Sequence, residues 1–337
     1  MATTRLSDLI YGPLFLPTVI NRIAALSTLR ASPVVAADAQ MQLFANGPGA
    51  LVEMPFWNDL TGNSNVSSDD PSQMAVPNKL SQGQDMARKI QRNNGWQAAN
   101  LVASLLASDP LDVVAQLIAE YWVREEQRLL GLTLRGIFAS AGMAGNKLSV
   151  ASEDANGNSG ANAVRLDAEV ASNAYALLGE RGETLSAAIM HSRVFYNLRA
   201  QRAIEFGRDP VTGLDFTRWD GKDVFLSDAC PRVAGGTSGY KYTTFLAGRG
   251  AIGYAEATGA GGPKKPVELE SVASAGNGEG IETLWFRRHW VMHPRGIAYT
   301  GNVAGASTSD AELSTGTQWT RVYDPTLVRL VAVETNG

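Results

Sequence analysis

The segment Asp109–Phe138, DPLDVVAQLIAEYWVREEQRLLGLTLRGIF, carries the clearest structural signal in the sequence. Asp109 can cap a helix N-terminus, and Pro110 at the first helical position loses no N–H that the helix needs. Apolar residues then recur at helical spacing, at Leu111, Val114, Ala115, Ile118, Tyr121, Trp122, Leu129 and Leu132. We predict a helix of about 30 residues and about 45 Å. Such a helix suits a spine laid against a sheet, or else is the longest helix of an ordinary α+β domain.

The two faces of this helix differ in character. The face opposite the apolar stripe carries Glu120, Arg124, Glu126 and Arg128, and Gly131 and Gly136 weaken the far end. We expect Leu117→Asp or Ile118→Asp to prevent folding, because each would bury an unpaired charge.

The residues before the helix give weaker patterns. Residues 1–50 are irregular, since Gly12-Pro13 and Pro17 break any long helix, and they predict an arm with little core of its own. Ala50–Trp57 predicts a strand, Thr61–Pro71 a polar tip, and Lys79–Arg92 a second strand. Residues 51–95 therefore predict a long two-stranded excursion. It needs a partner surface, because an isolated hairpin is marginal in water.

The residues after the helix mix helices and strands without a regular alternation. Ser140–Ala163 is rich in small and polar residues and predicts a linker. Val164–Leu178 predicts a second amphipathic helix, Ile281–Met292 a long strand, and Val328–Val333 a last strand. Because the order is mixed, we predict the α+β class.

Composition bounds the class of protein. The chain has 337 residues, of which 45% are hydrophobic, which excludes a disordered protein. Its charged fraction of 18% is low for a soluble domain, which fits either a polar-surfaced monomer or a subunit whose surfaces are covered by others. The net charge of −4 argues against a dedicated nucleic-acid binder. No apolar stretch approaches the ~20 residues of a membrane span, and the lone Cys230 forms no intrachain disulfide.

The search for a catalytic or cofactor site finds one motif, Gly248–Gly253, of the form G-x-G-x-x-G. A dinucleotide site requires this motif to open a helix, but Gly259 and Pro263 follow too closely. A close-packed turn is the favoured interpretation, and a nucleotide-binding enzyme stays open as an alternative. His289 and His293 lie four residues apart on a strand without a third ligand. We predict no catalytic residue, no metal site and no cofactor.

Several short sequences, in this order, resemble the major capsid proteins of tailed bacteriophages, which share the Hong Kong-type capsid fold. They are Val52–Leu60, Trp96, Asp109-Pro110, Tyr121-Trp122, Gln127–Leu130, Leu134–Phe138, Met190–Ser192, Asp228–Pro231, Tyr242–Gly253 and Arg288–Gly296. Each match is weak alone, but their order is fairly specific and spans most of the chain.

The resemblance implies an assignment of parts. It comprises an N-terminal arm (1–50), an extended loop (51–95), a peripheral domain with the spine helix (96–149), an axial domain (150–275), the long strand of the peripheral domain (276–305) and a C-terminal return to the axial domain (306–337). The loop and arm would overlap neighbouring subunits, which would explain why they lack cores of their own.

The resemblance also implies a function and partners. Copies of the chain would form the hexamers and pentamers of an icosahedral shell in the virion, assembled in the host cytoplasm around packaged double-stranded DNA. The expected partners are the chain itself, a separate scaffolding protein, a portal protein, a candidate decoration protein and non-specifically contacted DNA, with no membrane. We expect no large N-terminal processing and non-covalent assembly. An encapsulin-like nanocompartment shell stays open as an alternative.

Eight residues are candidate inter-subunit contacts because they are aromatic, polar or charged on the loop or the long strand. They are Trp57, Asn63, Asp69, Arg88, Lys89, Arg92, Arg287 and Arg288. The competing interpretation is that the tryptophan is core, as most tryptophans are, and that Arg287 and Arg288 form salt bridges within the chain.

Overall fold

In the described residues, two large β-sheets share one long helix, and Ile297–Tyr299 pairs with Trp319–Arg321 in a third sheet of two strands. The computed structural model describes residues 33–37, 39–60, 62–99, 110–152, 163–208, 215–235, 239–278 and 280–337. The helices in these residues are α1 Ala39–Asn46, α2 Pro110–Ala139, α3 Ala168–Ala176, α4 Ser192–Ala200 and α5 Asp310–Ser314.

The strands vary from three residues to eighteen. They are β1 Val35–Ala37, β2 Leu51–Trp57, β3 Gln82–Ala99, β4 Lys147–Ser149, β5 Leu185–Met190, β6 Ile204–Arg208, β7 Asp215–Trp219, β8 Lys222–Leu226, β9 Arg232–Ala234, β10 Tyr240–Gly248, β11 Ile252–Glu256, β12 Val267–Val272, β13 Ile281–Pro294, β14 Ile297–Tyr299, β15 Trp319–Arg321 and β16 Leu330–Thr335.

The first sheet is built on two long antiparallel strands, β3 and β13. Its order is β1-β11-β13-β3-β2, and β12 also pairs with β13. The pairing of β13 with β3 runs from Ile281↔Ala99 to Val291↔Lys89. Along β13 the buried side chains alternate up to Trp290, which is the pattern of a strand with two differently packed faces.

The second sheet has the order β4-β16-β10-β5-β8-β7-β6, with β9 pairing beside β10. It is covered on both faces. On β5, Ala187 and Ile189 join the core shared with α2, whereas Ala188 and Met190 join a second core with α3 and α4. Successive side chains of this strand point to opposite faces of the sheet and so pack into two separate cores.

Helix α2 is the spine predicted from the sequence, and it contacts both sheets. Near its middle, the ring of Trp122 lies 5.8 Å from Phe286 and 6.0 Å from Trp290 of the first sheet. At its end, Phe138 stacks on Phe245 of the second sheet with ring centroids 5.6 Å apart. One helix therefore joins the two sheets through a continuous apolar core.

The glycines that weaken the helix on propensity allow close packing instead. A Cβ atom on Gly136 would lie 2.0 Å from the carbonyl oxygen of Leu313 and 2.7 Å from Nε1 of Trp319. The helix nevertheless continues to Ala139. Gly136 is therefore the residue that lets the segment around α5 lie directly on the helix.

Three of the differences between the sequence-based expectations and the structure concern the arm, the linker and the packing of the spine helix. The described part of the predicted arm contains β1 and α1, and Met41 and Ala45 of α1 are buried in a small core that they share with strands of the first sheet. The predicted linker includes a 3₁₀ helix at 141–146 and β4, which pairs in parallel with β16. Elements this short show almost no sequence periodicity, so their conformation depends on the residues against which they pack.

The third difference concerns Leu117. Its side chain is 58% exposed, whereas its neighbour Ile118 is 3% exposed. The expectation that Leu117→Asp would prevent folding is therefore wrong, because adjacent helical positions point about 100° apart. Asp109, the predicted cap, lies outside the described residues.

The predicted division into domains stays a prediction. Strands β11 and β12 lie in the segment 150–275, assigned to an axial domain, but both pair with β13 in the first sheet. By strand pairing, the chain passes from the second sheet to the first between β10 and β11.

The contrast between Leu117 and Ile118 gives a matched test of the spine. Ile118→Asp buries a charge without a partner and should lower the free energy of unfolding by at least about 4 kcal/mol. Leu117→Asp should change it by no more than about 0.5 kcal/mol, because the side chain stays in water. Urea denaturation followed by circular dichroism measures both. Equal effects would show that the two faces are not packed as described.

Candidate assembly surfaces

Within the described residues, the longest run of exposed residues lies in the loop between β2 and β3, residues 58–81. From here on, the name extended loop refers to this part of the predicted extended loop (51–95). Its base is closed by the Asn58 N–H, which donates to the Ser81 carbonyl oxygen at 3.0 Å, and by Asn58 Nδ2, which donates to Ser81 Oγ at 2.9 Å. Every residue from 62 to 82 is exposed. No core of the same chain covers this segment in the described residues.

Apolar side chains lie along the extended loop without cover. Their exposed fractions are 79% for Leu60, 95% for Val66, 88% for Met74, 72% for Val76 and 55% for Leu80. Single exposed apolar residues are ordinary, but a run of them on one projecting segment makes that segment a candidate interaction surface.

Three of the candidate contact residues lie on this surface. Trp57 ends β2 and is 65% exposed. Asn63 and Asp69 are exposed on the loop itself. The structure thus leaves all three side chains available to a partner.

The outer edge of β2 is only partly able to pair with another strand. β2 is the last strand of the first sheet. In its register with β3, the Lys89 N–H donates to the Ala50 carbonyl. The N–H and C=O groups of even-numbered β2 residues therefore point toward β3, and those of odd-numbered residues point toward the open edge of the sheet. Pro55 is therefore outward-facing, and it has no N–H to offer.

Lys89 and Arg288 are buried within the chain. Lys89 is 1% exposed, its Nζ donates to the Gly47 carbonyl at 2.5 Å, and burial lowers the pKa of its ammonium. Arg288 is 2% exposed. Neither side chain reaches the surface, so both act inside the subunit. For Arg288 this agrees with the competing interpretation, a salt bridge within the chain.

Arg288 lies at the centre of a buried charged cluster. Its Nη2 is 2.8 Å from Glu126 of α2, and its Nε is 2.9 Å from Glu256 of β11. The Trp122 and Trp290 rings lie 5.5 and 5.2 Å from its guanidinium carbon. Burial alone lowers the pKa of Arg288, but the Tyr254 hydroxyl and the two carboxylates outweigh it and raise the pKa above its ordinary value.

Glu126 was assigned to the polar face of the helix, and that assignment is wrong. Its side chain is on the buried face, 3% exposed, and its Oε1 also accepts from the Tyr254 hydroxyl at 3.1 Å. The sequence signal was present, because Glu126 lies four residues after Trp122 and three before Leu129, on the apolar stripe.

The other basic candidates are partly exposed, and two of them form ion pairs within the chain. Arg92 of β3 pairs with Asp310 at 3.0 Å, and Asp310 also pairs with Arg128 of α2 at 2.7 Å. Arg287 pairs with Glu268 at 2.9 Å. Arg88 is half-buried, and its Nε has no hydrogen-bond partner in the described residues.

The described residues do not form the enzyme site considered as an alternative. β10 ends at Gly248, a turn with Gly250 at φ +65° follows, and β11 begins at Ile252, so the G-x-G-x-x-G motif opens a strand and not a helix. His293 Nε2 lies 2.9 Å from Asp85 Oδ1, so this imidazole is already engaged within the chain. No group of three metal-ligating side chains is present in the described part. Likewise, no described helix is long and apolar enough to cross a membrane.

Comparison with known proteins then assigns the chain. No family model matches it. Over 337 residues it is 37% identical to the major capsid protein of Bacillus phage SPP1, with 98% of each chain covered. The chain belongs to the phage major capsid proteins.

Solved capsid structures confirm the fold. The capsid of Ralstonia phage GP4 superposes with a TM-score of 0.56 over 90% of this chain and 87% of that chain, at 11% identity. The cyanophage Pam1 capsid asymmetric unit gives a TM-score of 0.54 over 90% and 91%, also at 11% identity. The predicted α+β Hong Kong-type capsid fold is therefore confirmed.

This capsid protein forms a shell and is a structural component of the virion capsid. The nanocompartment alternative is not favoured. What the sequence did not reveal is the exposed apolar series on the extended loop. Its signal lay in Met74, Val76 and Leu80, which follow the polar tip and belong to no periodic element.

The neighbouring arginines of β13 provide a matched test of the buried cluster. Arg288→Ala removes the cation that contacts the buried Glu126 and the partly buried Glu256, and it should lower the free energy of unfolding by about 3–5 kcal/mol. Arg287→Ala removes a partly exposed pair and should cost less than about 1 kcal/mol. Guanidinium unfolding curves compare the two. The cluster would lose its assigned role if Arg288→Ala were no worse than Arg287→Ala.

Proposed function

We propose that this capsid protein forms hexamers and pentamers of an icosahedral shell around packaged double-stranded DNA. The observation that carries the proposal is the extended loop, whose residues 62–81 are all exposed. A segment of this length without a core gains stability only when a neighbour covers its apolar side chains. A closed shell supplies such a neighbour to every copy.

The proposed inter-subunit contacts are the six candidates that keep exposed or half-buried side chains. They are Trp57, Asn63, Asp69, Arg88, Arg92 and Arg287. Trp57 has the size and exposure of an interface anchor. Arg92 and Arg287 keep their intrachain pairs with Asp310 and Glu268, so they would act at the rim of a contact rather than at its centre.

The proposed partners follow from the same role. They are a separate scaffolding protein, a portal protein, a decoration protein and the packaged DNA, with assembly in the host cytoplasm. The net charge of −4 supports containment of DNA without tight binding, because phosphate contacts require basic side chains. The proposed role is structural and non-catalytic, and the proposed division is arm, extended loop, peripheral domain and axial domain.

Particle formation tests the proposal directly. The full chain should form closed shells when produced with its scaffolding protein, seen by negative-stain electron microscopy, with hexamers and pentamers resolved by cryo-electron microscopy. A chain that stays monomeric across concentrations, or forms only open sheets, would contradict it.

The extended loop gives a separate prediction. Removing Thr61–Pro71 should leave the subunit folded, because every described residue of that segment is exposed, but should weaken or alter the shell. The control replaces the same residues by glycine and serine at equal length, which separates the effect of side chains from that of reach. Circular dichroism checks folding, and particle yield after sedimentation checks assembly. Unchanged yield and particle stability would rule out this role for the segment.

A further inference from the structure

The hairpin of β2 and β3 projects beyond the strand that supports it. β13 pairs with β3 only as far as Lys89. Among the described strands, the rest of β3 pairs with β2 alone. The two paired segments Leu51–Trp57 and Gln82–Arg88 are here called the hairpin stem, and the extended loop continues from its end. The backbone pairing of the sheet therefore does not set the direction of the stem beyond Lys89.

The root of the stem is held by an apolar core, and the outer part is not. Val52 and Ala87, which face each other across the stem, are buried in the small core that contains Met41 of α1. Beyond them the two strands run on to Trp57 and Gln82, which are both exposed. A two-stranded ribbon has little stability by itself. The direction of the outer stem therefore depends on a few contacts with the body of the subunit.

One buried carboxylate joins the stem to the turn that follows β13. Asp85 of the stem is 4% exposed, and His293 is 1% exposed. Asp85 Oδ1 lies 2.9 Å from His293 Nε2, and Asp85 Oδ2 accepts from the Gly296 N–H at 2.9 Å. Both carboxyl oxygens are thus engaged on the body of the subunit. Because a buried polar group that loses its partner is costly, these two contacts hold the stem at a defined point.

An aromatic pair lies beside this carboxylate. Phe56 of the stem packs edge to face on Tyr323, with ring centroids 4.5 Å apart. The Tyr323 N–H donates to the Gly296 carbonyl at 3.2 Å, so the turn that binds Asp85 also positions this ring. A Cβ atom on Gly83 would overlap the Phe56 ring, and one on Gly296 would overlap the Tyr323 ring. The stem and the turn therefore meet in one compact joint.

The joint can open without changes in either large sheet. The backbone pairing of β3 with β13 ends at Lys89, before Asp85 is reached. The backbone of His293 stays paired with Gly253 of β11 whatever its side chain contacts. Loss of the Asp85 contacts would therefore free the outer stem and the extended loop, while the root stays packed on α1.

A shell with two kinds of ring gives a reason for such a joint. Neighbouring copies meet at different angles in a ring of six and in a ring of five. A projecting stem with one permanent direction would fit only one of these rings. A stem with a firm but releasable attachment can fit both.

We propose that the contacts of Asp85 with His293 and Gly296 form a latch: closed, it fixes the direction of the outer stem, and open, it lets the stem turn about its root. This proposal rests on the proposed shell, because a shell of hexamers and pentamers requires more than one direction. It goes beyond that shell by assigning the change of direction to one buried carboxylate.

Spin labels on the unassembled full chain test the latch. Gln82→Cys labels the exposed end of the stem, and Ala139→Cys labels the exposed end of α2. The native Cys230 is buried, and burial raises the pKa of its thiol to about 12, so it stays unlabelled. Double electron–electron resonance, with an excess of unlabelled chain, then measures the distance between the two labels. The chain with Asp85 intact should give one narrow distribution.

Asp85→Ala should broaden this distribution severalfold, because both contacts of the joint are lost. The matched control is Asp59→Ala, which removes an exposed carboxylate just beyond the same stem and should leave the width unchanged. His293→Ala is the second latch variant. It removes one contact, leaves the Gly296 N–H in place, and should broaden the distribution less. It carries the test if Asp85→Ala does not fold, as judged by near-ultraviolet circular dichroism.

A folded Asp85→Ala chain with the original width, or equal broadening in Asp59→Ala, would overturn the proposal. If only His293→Ala folds, an unchanged width in that variant overturns it. Production with the scaffolding protein adds a second readout. Asp85→Ala should give particles of mixed size or open sheets, and uniform particles like those of Asp59→Ala would contradict the latch. A failure of the unaltered chain to form particles would contradict the shell itself, which the distance measurement does not require.

Discussion

The arrangement of the first sheet and the spine helix depends on the ion pairs of the buried Arg288. It draws one carboxylate from α2 and one from β11, and two tryptophan rings flank its guanidinium group. A buried ion is stable only when its partners are placed accurately, since a lost partner leaves an uncompensated charge. The cluster therefore fixes where α2 crosses the sheet, and the apolar contacts of Trp122 and Phe138 extend that fixed crossing to both sheets.

Rigid and unsupported parts are thus sharply separated in this protein. The two sheets and α2 share a continuous core, and the ion pairs of Asp310 with Arg92 and Arg128 join β3 to the same helix. In the loop between Trp57 and Gln82, no described residue belongs to these cores or ion pairs. This separation helps to explain the low charged fraction of 18%. The projecting segment exposes leucine, valine and methionine at positions where a monomer would carry charged residues.

The long elements were readable from the sequence because their periodicity is strong. The spine helix from Pro110, the strand from Ile281 and the hairpin from Leu51 all follow the predicted pattern. α1 was missed because eight residues give little more than two turns, and its position is set by contacts of Met41 and Ala45 with β2 and β11. Glu126 was misplaced because a carboxylate on an apolar stripe makes sense only once Arg288, 162 positions later in the sequence, is known to face it. The candidate contacts could be named by residue type, but their exposure depends on which face of β3 and β13 meets the helix.

The proline in β2 has a consequence for how subunits can meet. An open strand edge usually offers a ladder of donors and acceptors that any extended chain can join, and repeated joining of that kind produces fibres. Pro55 removes one rung from the middle of this ladder, at a position that faces outward. An extended chain that joined this edge would lose the hydrogen bond at that position, so side-chain contacts gain importance there. The interrupted edge is also a poorer template for endless addition than an unbroken strand.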